Sequence, residues 1–196
     1  MQPIQENLKT IKYLTQEEVA RLFAKIKDKR DRAMFNVVYK YGLRASEVGL
    51  LKIDDIDLER RRIRIYRLKG GVSGEYGIFS DTARLLKAYL KTRENDFHSA
   101  LFLSRKKNAI SRKTIDDLFR EYARKAKLPK DKRHAHTLRH SIAVHMLDAG
   151  HTQEEVKDQL GHKYIQTTDV YAAISGRKRQ QIHERMERAR EIVSVS

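Results

Sequence analysis

Apolar residues recur every three or four positions along most of the chain, a spacing that predicts helices. In "YLTQEEVARLFAKIK", Val19, Leu22, Phe23 and Ile26 form one stripe. Thr15 and Glu18 before it make a capping box, which fixes where the helix starts. "RDRAMFNVVYKYG" predicts a second helix that stops at Gly42, and "RASEVGLL" a short third one. The period then changes. Ile63 and Ile65 alternate with arginines, a glycine-rich turn follows, and a second alternating run returns, which predicts a hairpin with one charged face. Helical spacing resumes over 81–95 and 114–127, separated by "LFLS", a strand or loop. "HTLRHSIAVHMLDAG" is apolar almost all round from Ile142 to Leu147, so its helix is expected to be buried, with Gly150 ending it. Thr152 and Glu155 repeat the capping box, "QTTDVYAAI" allows a short helix, and a very polar helix is expected over about 176–193. The pattern is α+β, mainly α, with one small antiparallel sheet. With no repeat and only two prolines, nothing divides residues 1–196 into separate domains.

Charge changes the picture. Lysine and arginine total 42 against 26 acidic residues, a formal net charge of +16 over 196 residues. The basic residues cluster in "RRRIRIYRLK", "SRKKNAISRK", "ARKAKLPKDKRH" and "RKRQQ", which points to a polyanion such as nucleic acid. Aromatics are 8% and tryptophan is absent, which favours duplex DNA over single strands read by stacking. The absence of cysteine excludes disulfides, thiolate metal sites and cysteine nucleophiles and fits a cytoplasmic protein. No apolar run approaches the roughly 20 residues of a membrane-spanning helix.

Several residues could carry chemistry. His136, Arg139 and His140 stand at i, i+3 and i+4, on one face at the start of the buried helix, where free N–H groups suit a phosphate. The alternative is a surface arginine beside structural histidines. "HAHTLRHSIAVH" holds no HExxH and no carboxylate, so no metal is expected. "KGGVSG" lacks the GK[ST] ending of a phosphate-cradling loop. Arg44 after Gly42, Lys69 at the hairpin turn, and His162 nine residues before Tyr171 are each, taken singly, ordinary surface or structural residues.

Together, "YGLRASEV", the hairpin lysine, "HTLRH", "LGH" and Tyr171 resemble the catalytic domain of the tyrosine recombinases, or phage-type integrases, over nearly the whole chain from about Leu14. "RASEVGLLKIDDIDL", "RLKGG" and "LFLSRKKNAISR" further resemble the short fimbrial phase-switch invertases. The resemblance implies the helical fold of DNA breaking-rejoining enzymes. It implies catalytic roles for Arg44, Lys69, His136, Arg139, His162 and Tyr171, with neither metal nor other cofactor. Tyr171 would attack a DNA phosphodiester and form a 3′-phosphotyrosyl bond, Arg44 and Arg139 would fork the phosphate oxygens, and His136 and His162 would supply hydrogen bonds. Lys69 would protonate the leaving 5′-oxygen, while Glu47 and His140 would buttress the site. The partner would be double-stranded DNA, with tetramers assembling on it through the C-terminal helix. The additional N-terminal helical domain of most relatives is not expected in residues 1–196. A catalytically silent DNA-binding remnant and a type IB-like topoisomerase are the alternatives.

Overall fold

The computed structural model describes residues 11–68, 70–93, 98–164, 166–172 and Glu187. Among these, eight α-helices run in the order α1 (Gln16–Lys25), α2 (Lys29–Lys40), α3 (Ala45–Val48), α4 (Ser80–Leu90), α5 (Arg112–Lys125), α6 (His136–Asp148), α7 (Gln153–Leu160) and α8 (Gln166–Ala172). Between α3 and α4 lies an antiparallel sheet, β1 (Ile56–Asp57), β2 (Arg62–Ile65) and β3 (Gly74–Gly77), in that order across the sheet.

Local chemistry sets the ends of the helices. Both capping boxes form: Thr15 accepts from the Glu18 amide and Thr152 from the Glu155 amide, and each glutamate accepts in return. Each such cap typically contributes about 1 kcal/mol. Gly42, Gly150 and Gly161 follow helix ends with positive φ. At Gly42 a Cβ would also run into Leu160, so the turn needs glycine for conformation and for space. The helix predicted over 114–127 starts earlier, because Ser111 caps it by accepting from the Thr114 amide at 3.1 Å. The one predicted over 81–95 gives way to a 3₁₀ turn at 91–93. "LFLS" is a buried loop tied by single bridges, Lys52 to Ala100 and Leu103 to Ala109, rather than a strand. The predicted hairpin exists, with β1 added on its outer side. Ile63 and Ile65 face inward, and Arg62 and Arg64 outward.

Two apolar clusters carry the fold. The larger centres on α2, whose Ala33, Met34, Phe35, Val37 and Val38 are fully buried and pack against α4, α5, the sheet and the start of α6. The smaller joins Ala143, Val144 and Leu147 of α6 to Val156 and Leu160 of α7 and to Tyr171 of α8. α6 belongs to both, which is why it is buried nearly all round as its sequence predicts. Its buried positions also include four polar residues, Thr137, Arg139, Ser141 and His145. Ser141 Oγ receives the Leu14 amide at 2.8 Å, tying the chain ahead of α1 to this central helix. No helix among the described residues is long and apolar enough to cross a membrane. The C-terminal helix expected over 176–193 lies outside the described residues, apart from Glu187.

Candidate active site

Three segments converge on the N-terminal half of α6: the α2–α3 turn, the strand end after β2, and the stretch between α7 and α8. Arg44 leads into α3. Its backbone N–H donates to Glu47 Oε2 at 2.9 Å and its Nη1 to Glu47 Oε1 at 2.7 Å. Arg139, on the second turn of α6, is 1% exposed and donates Nη1 to the Gly42 carbonyl and Nη2 to the Leu160 carbonyl at 3.0 Å. Both carbonyls close helix ends, where the backbone dipole carries partial negative charge that favours a buried cation.

Sequence reading passed over Arg67, the third guanidinium here. Its side chain is buried, and it donates Nη1 to Glu47 Oε2 and the Gly42 carbonyl, each at 3.3 Å, and Nη2 to the Tyr41 and Gln159 carbonyls, each at 2.7 Å. Its signal was parity. Arg67 keeps the phase of Ile63 and Ile65, so the strand's alternation carries it to the inner face. Glu47 thus accepts from Arg44, Arg67 and the Leu68 amide. Burial pushes its carboxyl upward, but these donors outweigh that and hold it below the ordinary carboxylate range. Burial first, then Arg44 and Arg67, pull Arg139 down to about 10, leaving it cationic at neutral pH.

Tyr171 is 4% exposed, with its ring packed in the smaller core cluster. Its hydroxyl lies 2.9 Å from His140 Nδ1. His136 packs edge-on against His140 with ring centroids 4.3 Å apart. His162 stacks nearly parallel to Tyr171 at 6.5 Å and spends Nδ1 on Thr168 Oγ1 at 3.0 Å. So the structure gathers Arg44, Arg139, His136, His162 and Tyr171 around α6, but places His140, expected only to buttress, in direct contact with the phenol. Lys69 lies outside the described residues. Burial raises the Tyr171 phenol, and the charges of Arg139 and Arg44 pull it back only in part, leaving it above its ordinary value. Two clefts open on either side of Arg44. One, of about 410 Å³, is lined by Arg44, Ser46, Arg112 and His136. The other, of about 320 Å³, is lined by Arg44, His162, Lys163 and the glycines 70, 71 and 161.

The histidines give a pH prediction. Burial first, then Arg139 and Arg44, lower His162 from 6.5 to about 3. Burial, then His136 and His134, lower His140 to about 3. Burial, then Arg139, lowers His136 to about 4, but its side chain opens to solvent, which weakens any effect on stability. A base whose folded pKa lies below its unfolded one stays neutral in the fold and takes up a proton on unfolding. Its full contribution is present above about pH 6.5 and is lost as pH falls, at about 1.4 kcal/mol per pH unit for each such group. Denaturant titrations from pH 7 to 5.5 are expected to show this loss from His162 and His140. In His162→Asn, whose amide can keep the Thr168 contact, the slope should flatten. An unchanged slope in that variant would show that His162 does not titrate this way.

Residues 12–177 match the phage integrase family. The chain is 37% identical over 178 residues to tyrosine recombinase XerA of Pyrococcus furiosus, covering 89% of this chain and 61% of the relative. It is 35% identical to tyrosine recombinase XerC of Chlamydia pneumoniae, covering 79% and 50%. The crystal structure of a XerA recombinase superposes with a TM-score of 0.77 at 26% identity, covering 89% of this chain and 62% of that one. The XerH site-specific recombinase bound to its difH substrate before cleavage superposes at 0.70 with 25% identity, covering 82% and 49%. The chain therefore spans about half to three fifths of the length of these relatives. With the arginine, His-x-x-Arg, Gly-His and tyrosine motifs brought around one helix and a family match over most of its length, this chain belongs to the phage integrase family, the tyrosine recombinases.

Proposed function

We propose that the protein is a site-specific recombinase of double-stranded DNA, acting in the cytoplasm through a 3′-phosphotyrosyl intermediate. The observation that supports this best is the clustering of three arginines beside Tyr171. Arg44 and Arg67 pair with the single carboxylate Glu47, and Arg139, on α6, shares the Gly42 carbonyl with Arg67, while His140 of the same helix meets the Tyr171 phenol. Three cations against one anion make a local positive excess, the environment a pentacovalent phosphorane needs as its charge develops.

In this reading the Tyr171 oxygen attacks phosphorus, the bond to the 5′-oxygen breaks, and that oxygen leaves as a hydroxyl after taking a proton from Lys69. The phenol is hydrogen-bonded to His140 Nδ1, which accepts when the ring carries its proton on Nε2, and the charges of Arg139 and Arg44 lower the cost of the phenolate. Arg44 and Arg139 hold the non-bridging oxygens, and His136 and His162 donate to the same phosphate. Arg139 spends its fork on two carbonyls and Tyr171 is closed off, so DNA has to displace carbonyl contacts and draw the phenol outward. A 5′-hydroxyl from a partner strand then attacks the phosphotyrosine and restores the diester, so the link conserves bond energy. No metal takes part in the scheme. Among the described residues no three histidine, aspartate or glutamate side chains converge as a metal set.

The test is covalent capture. A pool of nicked duplexes with a randomised site releases its short 5′-hydroxyl strand on cleavage, trapping the adduct in chelator. An enriched sequence joined to protein supports the reading. Binding without an adduct would instead mark a silent DNA-binding module, and relaxation of plasmids lacking the enriched site a topoisomerase.

Assembly as a tetramer on DNA through the segment after Ser175 belongs to the same reading. Its support is the narrow stripe Ile182, Met186, Ala189 and Ile192 in an otherwise polar segment, suited to docking on a neighbour. Truncation after Ser175 is expected to leave single-site DNA affinity within about threefold while strand exchange is lost, read by gel shift and a two-site recombination assay. Normal exchange by the truncated chain would remove this role.

A further inference from the structure

We infer that Arg67 is a positioning residue of the reaction, its guanidinium locking the segment that carries Arg44 to the segment that carries His162. The inference rests on the recombinase reading. Glu47 alone ties Arg44 to its own helix. Arg67 grips that same carboxylate, the Tyr41 and Gly42 carbonyls three and two residues before Arg44, and the Gln159 carbonyl three residues before His162. It shares the Gly42 carbonyl with Arg139. One planar group thereby spans contacts 20 to 92 residues apart in sequence.

The neighbourhood is built around this side chain. The Arg67 amide is held by Ser73 Oγ at 3.0 Å, and the Val72 amide by the Gly161 carbonyl at 3.0 Å, so the loop after β2 is stitched to the end of α7 beside it. A Cβ on Gly161 would stand 2.7 Å from Arg67 Nε and from the Val72 carbonyl. The glycine next to His162 is therefore the space the guanidinium occupies. Among the described residues the buried Arg67 Nε has no hydrogen-bond partner, so the group is placed by its two terminal nitrogens. A lysine could restore the ion pair with Glu47 but cannot hold three carbonyls at once, because its ammonium is a point donor and not a fork.

The test compares Arg67→Lys and Arg67→Met with wild type on the captured nicked duplex. Melting temperature, DNA affinity and the single-turnover cleavage rate constant at saturating DNA are measured for each. Arg67→Lys is expected to remain folded and to bind DNA within about threefold. Its rate constant per folded molecule should fall by about 10- to 100-fold, since misplacing reacting groups by about 1 Å costs that much. Arg67→Met, which leaves Glu47 with one fewer cation, should lose more. Ser73→Ala, which removes the hydroxyl holding the Arg67 amide and leaves the backbone conformation unstrained, should show the same split in milder form, affinity kept and rate lowered. It is the decisive variant if the Arg67 substitutions do not fold. A wild-type rate constant at saturation in any folded variant would overturn the inference, as would a loss accounted for by unfolding alone. Absence of an adduct with the wild-type protein would overturn the recombinase reading itself.

Discussion

Tyr171→Phe is expected to abolish the covalent protein–DNA adduct completely while leaving the fold and DNA affinity in place. The substitution removes one oxygen and almost no volume. The ring keeps its packing against Ala143, Val144, Leu147, Val156 and Leu160. What is lost from the resting protein is one hydrogen bond to His140, worth about 1 kcal/mol. What the proposed reaction loses is its nucleophile. Tyr164 is the instructive control. It is 60% exposed seven residues earlier, and it borders the cleft that Arg44 and His162 line. Accessibility alone would favour it as the attacking residue. The assignment to Tyr171 rests instead on its contact with His140, its stacking on His162 and the charges of Arg139 and Arg44 acting on its phenol. Electrophoresis under denaturing conditions, with peptide mapping of the wild-type adduct, decides it. An adduct that survives in Tyr171→Phe, or a label on Tyr164, would require the site to be redrawn.

Raising salt from 50 to 200 mM should weaken DNA binding by about 10³- to 10⁵-fold, if roughly 6–10 phosphates are neutralised. The net charge of +16 supplies the cations, and their release of condensed counterions supplies the salt dependence. Part of that charge is already answered within the protein. On α5, Arg112 pairs with Asp116, Lys113 and Arg120 with Asp117, and Lys125 with Glu121. These are exposed pairs of little individual strength, which a phosphate can replace at small cost. Arg44, Arg112 and Lys163 line the two clefts beside the histidines, so the steepest dependence is expected where DNA lies across them. Tyr171→Phe is the protein to titrate, because it keeps the measurement at equilibrium. An affinity nearly independent of salt would show that the basic clusters do not meet the backbone of DNA.

The two results are separable. Loss of the adduct with an unchanged salt slope isolates chemistry from binding. A shallow slope with an intact adduct would place the recognition energy in base or shape contacts instead.

Much of the fold was legible because its signals are local. Thr15 with Glu18 and Thr152 with Glu155 each satisfy amides within three residues, so the sequence decides those helix starts without help from elsewhere. Gly42 and Gly161 end helices because the turns need positive φ, a property of the residue itself. Alternation at Ile63 and Ile65 fixed the inner face of β2, and continued one step it points Arg67 inward as well. Motif spacing singled out Arg44, His136, Arg139, His162 and Tyr171, which the fold brings together around α6. Their partners were not legible in that spacing. Which histidine meets the Tyr171 phenol depends on how α8 lies against α6, and His140 stands 31 residues from it. That Arg139 closes the ends of two helices, through carbonyls 97 and 21 residues away, follows from packing that brings those ends to one point. Hydrogen bonds that span such separations are chosen by where the apolar faces of α2, α6 and α7 come to rest. A linear pattern records which residues carry charge, but burial decides which of those charges must find each other.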